Sequence, residues 1–141
     1  MLMKSSSDVN LPVTSVIQIN QAAVARAALT QINLLRAALG AKPRRTMSKG
    51  AIRGADICPV HRTLRCDGLG EFYITRSDIA LDPSNAAAVR RSWGSKQLKC
   101  ADGPQCRKVH FKLPRDVSLF VENFDDGLLP GFDENRAPSA A

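Results

Sequence analysis

Apolar residues recur at helical spacing over residues 21–39. Their intervals alternate between three and four residues, which places them in one stripe on an α-helix. Asn20 is typical of a helix N-cap, and Gly40 followed by Pro43 is typical of a helix end. We therefore predict a helix here, packed on its own domain or paired with a second copy in a short coiled-coil homo-oligomer. The stripe comprises Ala25, Ala28, Ile32, Leu35 and Leu39.

Alternation of apolar and polar residues predicts β-strands that bury one face. Among them, Asp82-Pro83 is a typical helix start, with the acid as N-cap, and this helix runs to about Trp93 before Gly94. The pattern predicts an α+β fold: an N-terminal amphipathic helix and a small antiparallel sheet with one further helix. The strands are expected at residues 13–19, 71–75, 78–81, 109–113 and 117–121.

Composition divides the chain into four regions. Residues 1–40 form an N-terminal extension with the strand and helix, and the first ten residues are expected to be disordered. Residues 41–55 are a mobile basic linker, either a hinge or a segment that lies along a phosphate backbone. Residues 56–121 form the folded domain. Residues 122–141 form a disordered acidic tail, which either solubilises the chain or docks onto a protein partner.

The net charge of the 141-residue chain is +7, and it is unevenly distributed. Residues 1–55 contain eight lysines and arginines against one acid, whereas residues 116–141 contain one arginine against six acids. A basic body suits a polyanionic partner. No apolar stretch would span a bilayer and the N-terminus lacks a secretory signal, so we expect no membrane contact and a cytoplasmic or nucleoid-associated location. Residues 1–55 also fit an organelle transit peptide.

All four cysteines and both histidines lie between residues 58 and 110. Without a secretory signal, reduced thiols are expected rather than disulfides. Two close pairs far apart in sequence can converge on one Zn²⁺ ion, which takes four thiolate or imidazole ligands. One such ligand set is Cys58, His61, Cys100 and Cys106, and a second replaces His61 by Cys66 to use every cysteine. The alternative is that the four cysteines only pack as small apolar side chains.

A turn with two ligands followed by a strand, repeated at a distance, resembles the zinc-ribbon class. The segment from Lys99 through Cys106 to Phe111 is similar to the second knuckle of the small phage-type zinc-ribbon transcription activators. The chain differs from them in having His61 where a second cysteine is usual and 38 residues between the predicted pairs. The resemblance implies a zinc-ribbon-like metal site and a role in transcription or another DNA or RNA assembly. His110 is expected on the solvent side of its strand.

Basic residues crowd around the second cysteine pair and are candidate phosphate contacts. We therefore expect a nucleic-acid-binding protein with a structural zinc ion. The rival interpretation is an adaptor subunit of a virion or ribosome-like particle, whose helix and tail contact neighbouring proteins. No catalytic constellation is recognised, so an enzyme is not expected. The candidate contacts are Arg90, Arg91, Lys96, Lys99, Arg107 and Lys108, with Arg44 and Arg45 of the linker.

Overall fold

The computed structural model of the protein describes residues 13–52, 56–100 and 103–135, with side chains from residue 21 onward apart from Pro104. The predicted α+β class is confirmed. The helices are α1 (Val13–Ala38), α2 (Pro59–Leu64), α3 (Ala86–Trp93) and α4 (Arg115–Asp125), and the strands are β1 (Tyr73–Ile74), β2 (Asp78–Leu81), β3 (Gln97–Leu98) and β4 (Val109–Lys112). Among these residues, no helix combines the length and the apolar character needed to cross a membrane.

The four strands form one antiparallel sheet in the order β1-β2-β4-β3. Ile79 lies opposite Phe111 across β2 and β4, and both are fully buried, so this side of the sheet belongs to the core. Alternate residues point to the opposite side, because side chains alternate along a strand. We call that side the outer face. It carries Tyr73, Asp78, Ala80, Lys96, Leu98, Lys108, His110 and Lys112.

Helix α1 packs against α2, α3 and α4. The predicted apolar stripe faces this core, and Ala28, Ile32 and Leu35 are fully buried. Trp93 at the end of α3 donates its indole N–H to the carbonyl oxygen of Gln31, at 2.8 Å, and so joins the two helices. The stripe is therefore used within the chain, as the first of the two interpretations of this helix expects.

Two predicted strands are helical instead. Residues 13–19 belong to α1, so Asn20 lies inside the helix and not at its cap. Residues 117–121 belong to α4. That helix buries Val117, Phe120, Val121 and Phe124, a helical spacing that the β-branched valines obscured in the sequence. The helix predicted after Asp82 is confirmed, with Asp82 capping a 3₁₀ turn at Pro83–Asn85 that leads into α3.

The predicted mobile linker and disordered tail pack against each other. Gly50 and Asp133 form a parallel β-bridge, in which the Gly50 amide donates to the carbonyl of Phe132 and the Glu134 amide donates to the carbonyl of Gly50, each at 2.9 Å. Arg62 of α2 pairs with the Glu134 carboxylate at 2.6 Å. The predictions of mobility and disorder are thus wrong for the described parts of residues 41–55 and 122–141. The disorder predicted for the first ten residues lies outside the described residues.

Candidate metal centre and basic sheet face

Cys100 and Cys106 form a disulfide bond that closes the loop between β3 and β4. Their Cα atoms are 6.2 Å apart, within the usual reach of a disulfide. Gly103 turns the loop with a φ of 63°, where glycine is favoured, and its amide donates to the carbonyl of Cys100 at 3.2 Å. The expectation of reduced thiols is wrong for this pair in this structure, because the turn holds the two residues side by side.

His110 on β4 forms a group with these two cysteines. One ligand atom from each of the three residues lies within 4.8 Å of the others, and all three residues are half-buried. Nε2 of His110 is 3.6 Å from Sγ of Cys106. No other group of three or more cysteines, histidines or acids is this close within the part of the chain that the structure describes. As free thiolates with a neutral imidazole, these side chains are close enough together to bind a metal ion.

Asp78 fixes the orientation of the His110 ring. Its Oδ2 atom lies 3.0 Å from Nδ1 of His110, which places the proton on Nδ1 and leaves the Nε2 lone pair towards Cys106. The hydroxyl of Thr75 donates to the other carboxylate oxygen. Burial acts to raise the pKa of Asp78, but the hydrogen bonds from Thr75 and His110 outweigh it, so the pKa is lowered. The carboxylate is therefore ionised and holds the imidazole in place.

Cys58 lies outside this group. It is the N-cap of α2: its sulfur accepts the amide N–H of His61 at 3.3 Å, and Pro59 occupies the start of the helix. Burial raises the pKa of the Cys58 thiol to about 11, against the effect of the hydrogen bonds from backbone amides. The tight turn that suggested a metal knuckle is a helix start, so the ligand set that joins Cys58 and His61 to the second pair is wrong.

His61 is a core histidine. Its ring stacks on the ring of Phe72 with centroids 3.9 Å apart, and Nε2 donates to the Phe72 carbonyl at 2.8 Å. A carbonyl oxygen only accepts, so Nε2 carries the proton, and Nδ1 has no hydrogen-bond partner among the described residues. Burial lowers the pKa of the imidazole. This neutral ring packs in the core and does not belong to the group formed by Cys100, Cys106 and His110.

Cys66 is a free, half-buried thiol that follows α2. It lines a surface pocket with Arg36, Arg44 and Arg65, away from the disulfide. The ligand set that uses all four cysteines is therefore wrong as well, since Cys58 and Cys66 lie at opposite ends of α2 while Cys100 and Cys106 lie beyond the sheet edge.

Two lysines face each other on the outer face at the end of β3 and β4. The amide of Lys112 donates to the carbonyl of Lys96 at 3.0 Å, which continues the strand pairing and sets the two residues opposite one another. Neither ammonium forms an ion pair within the described residues, and Arg115 lines the same groove. Like charges that lie opposite on a sheet repel. Two acids lie nearby, since Asp78 is opposite Lys112 on β2 and Glu122 lines the same groove.

An aromatic ring and a further cation lie on the β1 side of the outer face. Nζ of Lys108 is 5.6 Å from the centroid of the Tyr73 ring and 3.6 Å from the Glu71 carboxylate. The Tyr73 residue is 37% exposed. Exposed aromatic rings beside cations on a sheet surface can stack nucleic-acid bases.

The other predicted phosphate contacts divide into three groups. Lys99 and Arg107 are exposed beside the disulfide. Arg90 of α3 reaches the sheet edge, because its guanidinium donates to the Gln97 side chain at 2.7 Å. Arg91 is exposed elsewhere on α3. The structure thus brings Lys96, Lys99, Arg107 and Lys108 to the β3–β4 region, with Arg90 on the core side of the sheet against Phe111.

Arg44 and Arg45 do not belong to that region. Asn33 of α1 holds the backbone of Arg44 through two hydrogen bonds, at 2.8 and 3.0 Å. The Arg44 guanidinium donates to the carbonyl of Thr63 at 3.3 Å, at the C-terminal end of α2. Arg45 is exposed next to it. The basic linker is therefore docked on α1 and α2 and does not provide a free arm.

His110 lies on the outer face of β4, as the alternation along this strand predicts, but its position beside the cysteines is not predicted by that alternation. The available signal was the spacing from Cys106 to His110, with three residues between them, which is common between metal ligands. The role of Asp78 had no local signal, because β2 reaches His110 only through the pairing of β2 with β4.

No protein-family model matches the chain, and neither the curated proteins nor the solved structures contain a significant match.

Proposed function

We propose that the protein binds nucleic acid on the outer face of its sheet, next to a zinc ion held by Cys100, Cys106 and His110 in the reduced state. The observation that carries the proposal is the outer face itself. It combines an exposed aromatic ring, two lysines (Lys96 and Lys112) that form no ion pair with any described residue, and a group of potential metal ligands on one side of one sheet.

Cations also lie around β3 and β4 beyond the outer face itself. Lys96 and Lys112 lie at one end with Arg115, and Lys99 and Arg107 flank the disulfide at the other. Several cations spread along one end of the sheet suit an extended polyanion such as a sugar-phosphate backbone better than a small anion. Tyr73 adds a surface on which a base can stack.

Zinc is the metal that best suits the three potential ligands. Two thiolates and one imidazole form a set that favours Zn²⁺ over Mg²⁺ or Ca²⁺, which prefer oxygen ligands. Asp78 supplies the carboxylate that commonly orients a metal-binding histidine and fixes its tautomer. Bound zinc would tie the β3–β4 loop to the sheet, beside the cations proposed to contact phosphate, and its charge would be balanced by the two thiolates.

Binding should be measured by fluorescence anisotropy of labelled single-stranded DNA and RNA oligonucleotides over a range of salt concentrations. We expect the double variant Lys96→Ala/Lys112→Ala to bind more weakly and to lower the salt slope by roughly 1.4, from two lost phosphate contacts. Tyr73→Leu should weaken binding by about 1–3 kcal/mol without changing that slope.

A matched control removes the same charge elsewhere. Lys42 and Lys49 are exposed residues of the linker, so Lys42→Ala/Lys49→Ala changes the net charge equally but leaves the outer face intact. Binding that does not depend on salt, or equal weakening by the two double variants, would exclude the outer face as the binding surface.

The adaptor interpretation has less support. The apolar stripe of α1 is buried within the chain, and the tail uses Phe124 and Leu129 in the same core. The two segments proposed to contact other proteins are therefore occupied by intramolecular packing.

A further inference from the structure

The sulfur atoms of Cys100 and Cys106 serve two arrangements that exclude each other. They form a disulfide, and they also provide two of the three potential ligands of the candidate metal site that they form with His110. A thiolate is the form that binds a metal, so the disulfide must be reduced before these sulfurs can coordinate one. One chemical change at this pair therefore decides whether the site can hold a metal.

The imidazole of the site is positioned by residues outside the cysteine loop. His110 is held by Asp78, which itself accepts a hydrogen bond from Thr75. The residues that position the imidazole belong to β2, β4 and the turn between β1 and β2, outside the cysteine loop. Reduction thus frees two ligands beside a third that is already oriented.

The disulfide is also accessible to a small thiol. Both cysteines are half-buried and line an open groove of about 380 Å³ with Leu98, Lys99 and His110. Exchange with a thiol requires a thiolate to approach a disulfide sulfur from outside, which a groove of this kind permits. The flanking Lys99 favours an incoming anion by its charge.

We propose that Cys100 and Cys106 form a redox-active pair that exchanges with a dithiol and thereby controls metal loading; this rests on the zinc site of the proposed function. A thiolate of the dithiol attacks one sulfur, the Cys100–Cys106 bond breaks, and a mixed disulfide forms while the other cysteine leaves as a thiolate. The second thiol of the dithiol then attacks the mixed disulfide and releases the remaining cysteine. The protein pair gains two electrons and two protons, and the dithiol becomes a disulfide.

The test compares the oxidised protein with protein reduced by dithiothreitol and desalted without oxygen. Zinc binding is measured by competition with a chromophoric chelator, and free thiols are counted after denaturation. We expect reduction to add two thiols and to create a site for one zinc ion that the oxidised protein lacks. Oxidation of the zinc-loaded protein with diamide should remove the two thiols and release the zinc together.

Three variants separate the pair from the other groups. Cys100→Ser should abolish both the disulfide and tight zinc binding, whereas Cys66→Ser, the matched change at the other half-buried cysteine, should leave both intact. His110→Ala should weaken zinc binding but still gain two thiols on reduction, which keeps the test valid if Cys100→Ser does not fold.

Equal zinc binding by the oxidised and reduced proteins would overturn the inference, as would a thiol count that dithiothreitol does not change. Zinc binding that appears only on reduction, in a protein that fails to bind any oligonucleotide, would support the inference and refute the nucleic-acid function. Absence of zinc binding in both states would refute the zinc site and the inference, whereas salt-dependent oligonucleotide binding would stand alone.

Discussion

Asp78 of β2 and His110 of β4 are diagonal neighbours on the outer face, joined by a hydrogen bond of 3.0 Å between Oδ2 and Nδ1. In the register of β2 and β4, Asp78 is opposite Lys112 and Ala80 is opposite His110, so the bond joins residues that are offset by two positions on the same face. The small side chain of Ala80 leaves room for the ring to lean towards the carboxylate.

The first prediction follows from this bond. Asp78→Asn should lower the zinc affinity of the reduced protein by about 10–100-fold, because the imidazole loses the carboxylate that orients it. Competition with a chromophoric chelator measures the change. Asp82→Asn is the matched control, since asparagine also caps a helical turn and Asp82 does not contact His110. Equal losses in the two variants would show that a general charge effect, not the bond to His110, is responsible.

Substitution of Arg36 is expected to have a large effect on stability. Its buried guanidinium donates to the carbonyls of Lys42, Leu64 and Arg65, and so closes the C-terminal end of α2. We expect Arg36→Met to lower the free energy of unfolding by about 3–5 kcal/mol, because several buried carbonyls lose a charged donor. Urea unfolding followed by circular dichroism measures it.

Arg26 offers the control for Arg36. It lies on the same helix and is exposed, so Arg26→Met should change the free energy of unfolding by less than about 0.5 kcal/mol. A similar small change for Arg36→Met would mean that water replaces the guanidinium at the helix end.

Gly50 should tolerate no side chain. A Cβ atom there would lie 2.5 Å from the Pro59 nitrogen and 2.6 Å from the Ile57 carbonyl oxygen, both backbone atoms. Gly50→Ala should therefore destabilise the protein by about 1–3 kcal/mol. For comparison, a Cβ at Gly131 meets only the end of the Gln21 side chain, at 3.2 Å, so Gly131→Ala should cost less in the same urea unfolding experiment.

Cys58 gives a pH dependence with a defined sign. Its pKa rises from 9.0 to about 11 on folding, so the thiol ionises first in the unfolded chain. Burial of the neutral thiol contributes fully to the stability of the fold at pH values below the pKa of this thiol in the unfolded chain. The contribution is lost as the pH rises towards its pKa in the folded protein. Between about pH 8 and 10, the stability of the wild type should fall relative to Cys58→Ala by about 1–2 kcal/mol. A difference that stays constant with pH would refute the burial of this thiol.

Much of the framework follows from local signals in the sequence. The stripe of α1, the Asp82-Pro83 helix start and the alternation around Phe111 each predict an element that the structure contains. These signals succeed because periodicity and capping act between residues close in sequence. The residues of α4 misled the strand prediction because two valines and a phenylalanine suit either element until the buried spacing is known.

The candidate site was harder to predict than the fold. Cys58-Pro59 and Asp82-Pro83 are the same kind of helix start, with a capping side chain before proline, yet the sequence of the first also fits a metal knuckle because its capping atom is a sulfur. In the group formed by Cys100, Cys106 and His110, the histidine is oriented by Asp78. These two residues are 32 positions apart in the sequence and are brought together by strand pairing. Such contacts are set by tertiary structure and leave no trace in local spacing.

The hydrogen bond from Trp93 to Gln31 allows the intrinsic fluorescence of the protein to report on the packing of two helices. The chain has one tryptophan, and its indole joins α3 to the C-terminal half of α1. Separation of these helices exposes the ring to water and breaks the bond, so the wavelength of its emission reports their docking without an added label.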